Sequence, residues 1–199
     1  MNSIDKVFYI NLDKRPDRKE AIEREFKEHD IFNYERFPAI EHVNGIVGCG
    51  QSHLAVLKIA RNRNYNRILI FEDDFHFLVS KEELEENLKK LKDVDFDVCF
   101  LSYNLHEYKE CEYDFLYRVY KSQTASGYIV NRCHFDALIH ELETTNPLLE
   151  QTGEHWIYAN DVVWYKFQLQ DKYYCFKTRI GIQRPGYSDN SKCFTDLQC

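Results

Sequence analysis

The chain contains the run Arg67-Ile68-Leu69-Ile70-Phe71-Glu72-Asp73-Asp74, which carries its strongest structural signal. The four apolar residues 68–71 indicate a short strand that is buried on both faces, as in a parallel sheet covered by helices. The strand ends in three adjacent carboxylates, at the edge where open α/β sheets bind ligands. Packed carboxylates repel one another unless a cation or solvent relieves them. Because hard oxygen ligands suit Mg²⁺ or Mn²⁺, the run predicts a divalent-metal site for a phosphorylated ligand.

Strands and helices alternate on both sides of this run. Strands are predicted over 7–10, 36–40, 68–71, 96–101, 117–121, 126–130 and 174–183, and helices from about residue 16 and over 51–64, 81–92, 133–142 and 161–169. We expect residues 45–50 to form a flexible glycine loop, Asn131 to cap the helix over 133–142, and 184–187 to form a turn. The alternation predicts an α/β fold, with a sheet mostly parallel in its first half, in one domain over residues 1–199.

Composition narrows the function classes. Of the 199 residues, 44% are hydrophobic and 15% aromatic, which is enough for a substantial core, and the net charge of −7 argues against a nucleic-acid partner. No apolar run approaches the roughly 18 residues that cross a bilayer, so no transmembrane segment is expected. No signal peptide is visible and the cysteines form no Cys-x-x-Cys pair, so we expect a cytoplasmic location and no zinc site.

Two further clusters could bind a ligand. Arg15 and Arg18 lie near a predicted helix start, a place suited to anions, although their spacing alone favours a solvated helix entry. The glycines of 48–53 would let the backbone approach a ligand, and Ser52 and His53 offer hydrogen bonds. Taken alone, His53 is explained as a structural histidine.

Judged from spacing alone, the acids at 72–74 and Asp161 each have a functional and a purely structural interpretation. Strand alternation puts Glu72 and Asp74 on one side and turns Asp73 away, or the three form a solvated strand end. Asp161 stands at a predicted helix start, where an N-cap or first-turn acid is a common stabilising arrangement. Its spacing does not by itself make it catalytic.

The order of these motifs resembles glycosyltransferase family 25, which includes bacterial lipooligosaccharide and procollagen hydroxylysine galactosyltransferases. The resemblance rests on FYINLDKRPDR over 8–18, GCGQSHL over 48–54, IFEDD over 70–74, ASGYIV over 125–130 and Asn-Asp at 160–161. It implies a GT-A-type, Rossmann-like nucleotide-sugar-binding domain with a mixed, mainly parallel central sheet. It also implies transfer of a hexose, galactose before others, from a UDP-sugar with Mn²⁺ or Mg²⁺ as cofactor.

The resemblance also assigns roles to residues. Asp74 is the expected direct metal ligand, Glu72 supports it, and Asp189 or water completes the shell. The donor is expected near Asn11, Leu12, Arg15, Arg18 and Asp73, while the Ser52-His53 element contacts either the donor or the fold. Asp161 is the expected general base of an inverting transfer, with Glu154 as the second candidate.

The acceptor and the alternatives stay open. A glycan and a hydroxylysine-containing protein are both possible acceptors, and the sequence does not indicate an oligomeric state. A non-catalytic sugar-nucleotide or carbohydrate-binding module would keep the fold without turnover. A nucleotidyl- or phosphotransferase would also use an acidic metal site, but no phosphate-binding loop is recognisable.

Overall fold

The computed structural model describes residues 3–188 and 193–196. Within them lie six helices: α1 (Pro16–Glu28), α2 (Gly45–Asn62), α3 (Lys81–Leu91), α4 (Arg132–Thr152), α5 (His155–Tyr158) and α6 (Tyr165–Gln170). The same residues form β1 (Lys6–Asn11), β2 (Tyr34–Pro38), β3 (Arg67–Glu72), β4 (Phe75–Phe77), β5 (Val98–Phe100), β6 (Asn104–Glu110), β7 (Leu116–Gln123), β8 (Gly127–Asn131), β9 (Tyr173–Phe176), β10 (Gly181–Gln183), β11 (Gly186–Ser188) and β12 (Cys193–Thr195).

Eight strands form a mixed central sheet in the order β2-β1-β3-β8-β5-β9-β7-β6. β1 pairs in parallel with β2 and β3, which confirms the parallel first half predicted from the sequence. β8 runs antiparallel between β3 and β5, and β7 runs antiparallel between β9 and β6. The other six strands therefore share one direction, and the carboxyl ends of β1, β2 and β3 meet at one edge.

Helices cover both faces of the sheet. Alternate residues of the central strands point to opposite sides, so Tyr9 and Phe71 face one layer while Phe8 and Ile70 face the other. The first layer is completed by α1 and α3, and the second by α2 and α4. The α/β class is confirmed, and the acid-bearing strand β3 lies between the two layers.

The glycine-rich segment before residue 51 is helical, so the prediction of a loop there is wrong. α2 already begins at Gly45, and the Asn44 side chain caps it by accepting a hydrogen bond from the Ile46 N–H at 3.1 Å. A Cβ atom on Gly48 would lie 2.4 Å from the carbonyl oxygen of Ile40. The glycine permits close packing of the helix against the preceding loop.

The helix predicted over 133–142 continues for ten more residues, through Pro147, and is followed by the C-cap residue Gly153, which has a φ of 72°. Leu149 is fully buried, so tertiary packing stabilises the added turns. Asn131 stands at the cap position without making a side-chain cap, because its amide donates to the Phe96 carbonyl and accepts from Arg67. The predicted cap position is therefore confirmed, but the side chain of Asn131 does not cap α4.

The second half departs further from the expected elements. The helix predicted over 161–169 begins only at Tyr165, and Asp161 lies in the preceding turn. The strand predicted over 174–183 is divided into β9 and β10, and residues 186–187 of the expected turn belong to β11. These short elements lack the sustained periodicity from which longer ones are predicted. None of the helices within residues 3–188 is long and apolar enough to cross a membrane.

Candidate active site

A cavity of about 920 Å³ opens at the carboxyl ends of β1 and β3. Its walls come from the β1–α1 turn, the β2–α2 loop with the first turns of α2, the acids at the end of β3, and residues 123–125, 155–156, 159–162, 183–184, 187 and 195. Seven residues expected at a site from the sequence line it: Leu12, Arg18, Ser52, Glu72, Asp73, Asp74 and Asp161. Segments far apart in the sequence thus meet around one space.

The three adjacent acids divide differently from the strand alternation expected above. β3 ends at Glu72, and the chain turns immediately, so alternation does not extend to the next two residues. Arg18 Nη1 lies 2.9 Å from Asp73 Oδ1 and 3.0 Å from Asp74 Oδ2. Asp73 and Asp74 therefore share one guanidinium, whereas Glu72 faces α2. The prediction that Asp73 turns away from Asp74 is wrong.

Asn11 fixes the second oxygen of the middle acid. Its Nδ2 donates to Asp73 Oδ2 at 2.7 Å, and its Oδ1 accepts from Arg36 Nε at 2.9 Å. Arg18 Nη2 also donates to the Tyr187 carbonyl at 2.9 Å. Arg15 pairs with Asp17 at 2.8 Å and reaches the same carbonyl at 3.3 Å. Arg15 and Arg18 thus join the start of α1 to β11.

Below the acids, α2 supplies a buried network around Glu72. His53 Nε2 lies 3.2 Å from Glu72 Oε1, its Nδ1 lies 3.0 Å from the Tyr128 hydroxyl, and Cys49 Sγ donates to Glu72 at 3.6 Å. Ser52 instead donates to the Gly48 carbonyl at 2.6 Å. His53 is fully buried and contacts the fold beneath Glu72, whereas Ser52 of the same element lines the cavity.

The surroundings give the acids different proton affinities. Burial raises the pKa of Asp74 to about 7, the negative charge of Glu72 adds to that effect, and Arg18 opposes it. Burial likewise raises the pKa of Asp73 against the opposition of Arg18 and Asn11. Burial also disfavours ionisation of Glu72, but the contacts with His53, together with Cys49 and Arg18, outweigh it and lower the pKa of Glu72. The pKa values of Glu72 and Asp74 therefore shift in opposite directions.

Asp74 has the properties of a ligand for a hard cation. Its Oδ1 is buried and makes no hydrogen bond to any residue within 3–188 or 193–196. Mg²⁺ is usually held by one or two carboxylates and keeps several waters, so one carboxylate oxygen without a hydrogen-bond partner fits such an ion. Asp189, the other expected ligand, lies outside the described residues.

Cys49, His53 and Glu72 also place possible ligand atoms within 4.8 Å of one another. Metals bind the thiolate form of cysteine. Burial and the charges of Glu72 and Asp161 raise the pKa of the Cys49 thiol well above its usual value. A protonated thiol that donates to Glu72 fits a hydrogen-bonded network better than a metal centre.

Asp161 stands on a different wall of the cavity. Its Oδ2 accepts a hydrogen bond from the Thr124 N–H at 3.0 Å, and burial raises its pKa even though this bond opposes the shift. Thr124 has a φ of 85°, a conformation that β-branched residues rarely adopt. Glu154 immediately precedes α5 and is not among the described residues that line the cavity. The structure thus separates the two expected catalytic acids.

Sequence reasoning missed several residues of the site because no local motif marks them. Gln183 Nε2 lies 3.4 Å from Asp74 Oδ2, and the Arg184 N–H donates to the Asp74 carbonyl at 2.7 Å. Both lie more than a hundred positions from the acids, so only the pairing of β10 with β4 brings them there. Asn160 precedes Asp161 in a sequence motif, but the sequence does not indicate that it lines the cavity as a residue that is only 4% exposed.

This mixed sheet covered by helices is a GT-A-like, Rossmann-like α/β fold. A glycosyltransferase involved in the glycosylation of the major capsid of PBCV-1 has a similar structure, with a TM-score of 0.58 and 10% identity over 89% of this chain and 92% of that chain. Mannose-1-phosphate geranyltransferase from Thermus thermophilus gives a TM-score of 0.51 and 8% identity over 92% and 74% of the two chains. At such identities the similarity establishes the fold alone.

Sequence comparison identifies the family. The family model for glycosyltransferase family 25 (LPS biosynthesis protein) matches residues 43–147, just over half of the chain. The chain belongs to glycosyltransferase family 25, as the motif order implies. It is 32% identical to R655 of Acanthamoeba polyphaga mimivirus, a glycosyltransferase by name, over 43% of this chain. It is 29% identical to a glycosyltransferase 25 family member of Drosophila melanogaster over 38% of this chain. The matches span only 32% and 17% of those relatives.

Proposed function

We propose that the chain is a metal-dependent glycosyltransferase that moves a hexose, most simply galactose, from a UDP-sugar to an acceptor hydroxyl. Family membership supports sugar transfer. The observation that carries the finer assignment is Asp74, whose buried Oδ1 lacks a hydrogen-bond partner in the described structure and belongs to a residue lining the cavity. We take residues 1–199 as a single GT-A-like domain.

The donor half of the site lies around the β1–α1 turn. Arg18 would attract the diphosphate through its positive charge, and Leu12 offers apolar contact beside it in the cavity wall. Asn11 holds Asp73 in place through its hydrogen bond, and Arg36 in turn donates to Asn11. When bound at Asp74, Mn²⁺ or Mg²⁺ would neutralise the negative charge that develops on the departing UDP.

Asp161 is the proposed general base. The acceptor oxygen forms a bond to C1 of the hexose, and the bond between C1 and the UDP oxygen breaks with its electron pair leaving on UDP. Asp161 takes the hydroxyl proton, for which its raised pKa makes it a stronger base. Attack opposite the leaving group inverts the configuration at C1. The Thr124 N–H holds the carboxylate in position during this step.

The function is tested by pairing each UDP-hexose with oligosaccharides and with hydroxylysine peptides, with and without Mn²⁺. We expect Mn²⁺-dependent UDP release, reduced on the order of 100-fold or more by Asp74→Asn because a Lewis-acid contact contributes several kcal/mol. Asp136→Asn, which changes an exposed carboxylate paired with Arg61, is the matched control and should behave as the wild type.

Two outcomes would replace this proposal. Tight UDP-sugar binding without turnover in any pairing would identify a binding module. Turnover of nucleoside triphosphates with no turnover of UDP-sugars would identify a nucleotidyl- or phosphotransferase. Activity that is indifferent to Mn²⁺ and to Asp74→Asn would remove the metal from the mechanism.

A further inference from the structure

Asn160 is a buried amide in the cavity wall with unused hydrogen-bonding capacity. It is 4% exposed, and neither its Oδ1 nor its Nδ2 has a hydrogen-bond partner among the residues that the structure describes. Buried polar side chains are nearly always paired, so each exception calls for an explanation. A ligand in the cavity explains this one, because a carboxamide can donate to one hydroxyl group and accept from its neighbour.

Trp156 supplies an apolar surface in the same cavity. Its side chain is 63% exposed, although it lines the cavity. It lies on α5, a helix of four residues none of which is buried, and its ring meets His155 at 5.2 Å between centroids. A large aromatic side chain left open beside a cavity marks a binding surface more often than a core position.

The two side chains have complementary chemistry. A pyranose ring has an apolar face of C–H groups, which suits an indole, and adjacent hydroxyl groups at its rim, which suit a carboxamide. Asp161, the proposed base, directly follows Asn160 in the chain and lines the same cavity. A sugar held by Trp156 and Asn160 would therefore present a hydroxyl group beside the base.

We infer that Trp156 and Asn160 form the acceptor subsite and that the acceptor is a carbohydrate rather than a peptide. This inference rests on the proposed function and assigns its second substrate. The donor diphosphate is bound by other residues, around Arg18 and Asp74. A hydroxylysine side chain is a single flexible chain and lacks the ring that both groups match.

A kinetic test measures KM for each substrate separately. Trp156→Ala and Asn160→Ala should each raise the KM for an oligosaccharide acceptor on the order of tenfold. A change of this size corresponds to the loss of one or two hydrogen bonds, or of one contact with an aromatic ring. The KM for the UDP-sugar should stay near the wild-type value, and Trp156→Tyr should recover most of the acceptor affinity. A rise confined to the UDP-sugar KM would overturn the inference by assigning the pair to the donor hexose.

Two variants serve as matched controls. Tyr108→Ala removes another half-exposed aromatic ring, on β6 and outside the cavity lining. Asn146→Ala removes a second buried amide without a partner in the described part of the chain, but one that does not line the cavity. Both should leave the acceptor KM unchanged. Asn160→Ala should also leave the free energy of unfolding near the wild-type value, since the Asn160 side chain makes no hydrogen bond within the described residues.

A binding test needs no turnover. The chain has two tryptophans, and Trp164 is fully buried, so acrylamide quenches mainly the fluorescence of Trp156. Galactose-containing oligosaccharides should protect Trp156 from quenching, and hydroxylysine peptides should not. If oligosaccharides protected Trp156 but no UDP-sugar were turned over, the proposed function would be wrong while the carbohydrate subsite would be supported. Protection by peptides alone, or by neither ligand, would overturn the inference.

Discussion

Arg18 holds one oxygen of Asp74 at 3.0 Å and leaves the other bare of hydrogen bonds within the described segments. The guanidinium therefore neutralises the acid without filling its coordination capacity. A cation that approached the second oxygen would meet a carboxylate that is already oriented. This division of the two oxygens would preorganise the acidic turn for the cation proposed above.

Arg18→Ala should destabilise the protein, because it leaves Asp73 and Asp74 as neighbouring carboxylates without their shared cation. Breaking such a part-buried pair costs about 3 kcal/mol in the free energy of unfolding. The loss should be smaller at pH 5, where Asp74, whose pKa burial raises to about 7, carries a proton. Urea unfolding at pH 8 and pH 5 measures both values. Arg18→Lys, which keeps the charge, is the control, and an undiminished stability of Arg18→Ala at pH 8 would contradict the argument.

Asp161→Asn should lower the transfer rate on the order of 10²–10⁴-fold while UDP still binds, because the amide cannot take the acceptor proton. Glu154→Gln is the matched change on a carboxylate that does not line the described cavity, and it should stay close to the wild type. Single-turnover transfer and UDP titration separate the two effects. The reverse ranking of the two variants would make Glu154 the base.

Gly48→Ala tests the tight contact at the start of α2. Alanine in a helix gains about 0.5–1 kcal/mol over glycine. The new Cβ would lie 2.4 Å from a backbone oxygen, that of Ile40, and such overpacking costs about 1–3 kcal/mol. The clash should prevail, with a lower free energy of unfolding. Gly186→Ala is the control, since its Cβ would have nothing among the described residues within 4 Å. An increase in stability for Gly48→Ala would show that the loop yields easily.

His134 should make stability depend on pH. Burial lowers its pKa in the folded state, although the charges of Asp97 and Asp171 oppose the shift, while the unfolded value is about 6.5. Below pH 6.5 the unfolded chain therefore binds more protons at this position, so its contribution to stability is lost as the pH falls. Subtracting the pH profile of His134→Gln from that of the wild type isolates this contribution. Identical profiles, or a difference no larger than for exposed His140→Gln, would contradict it.

The first half of the fold was predictable because its signals are local. Residues 68–71 are apolar without interruption and lie in a central strand, and the run of acids after them falls at the carboxyl edge as expected. The glycines of 45–50 gave a wrong prediction because glycine is common both in loops and where a helix packs closely against another segment. The contact of Gly48 with the Ile40 carbonyl, which requires the second arrangement, is visible only in the folded structure.

The second half of the site was less predictable because it is assembled by tertiary contacts. The prediction of Asp161 came from motif order, while its hydrogen bond to Thr124 depends on a backbone conformation that no residue pattern encodes. The grouping of Asp73 with Asp74 depends on where β3 stops, and boundaries shift by a few residues in any sequence-based argument. Gln183 and Arg184 reach the acids only through a strand pair formed across the chain.

Asp74 Oδ1 and the Asn160 amide lack hydrogen-bond partners within the described structure, so the proposed cation and acceptor would bind the folded chain through groups that folding leaves unpaired. A ligand that binds only the folded state raises stability by RT ln(1 + [L]/Kd), about 2.7 kcal/mol at a hundred times Kd. The melting temperature of this chain is thus a direct assay of what it recognises, and one that ranks candidate sugars before any product is detected.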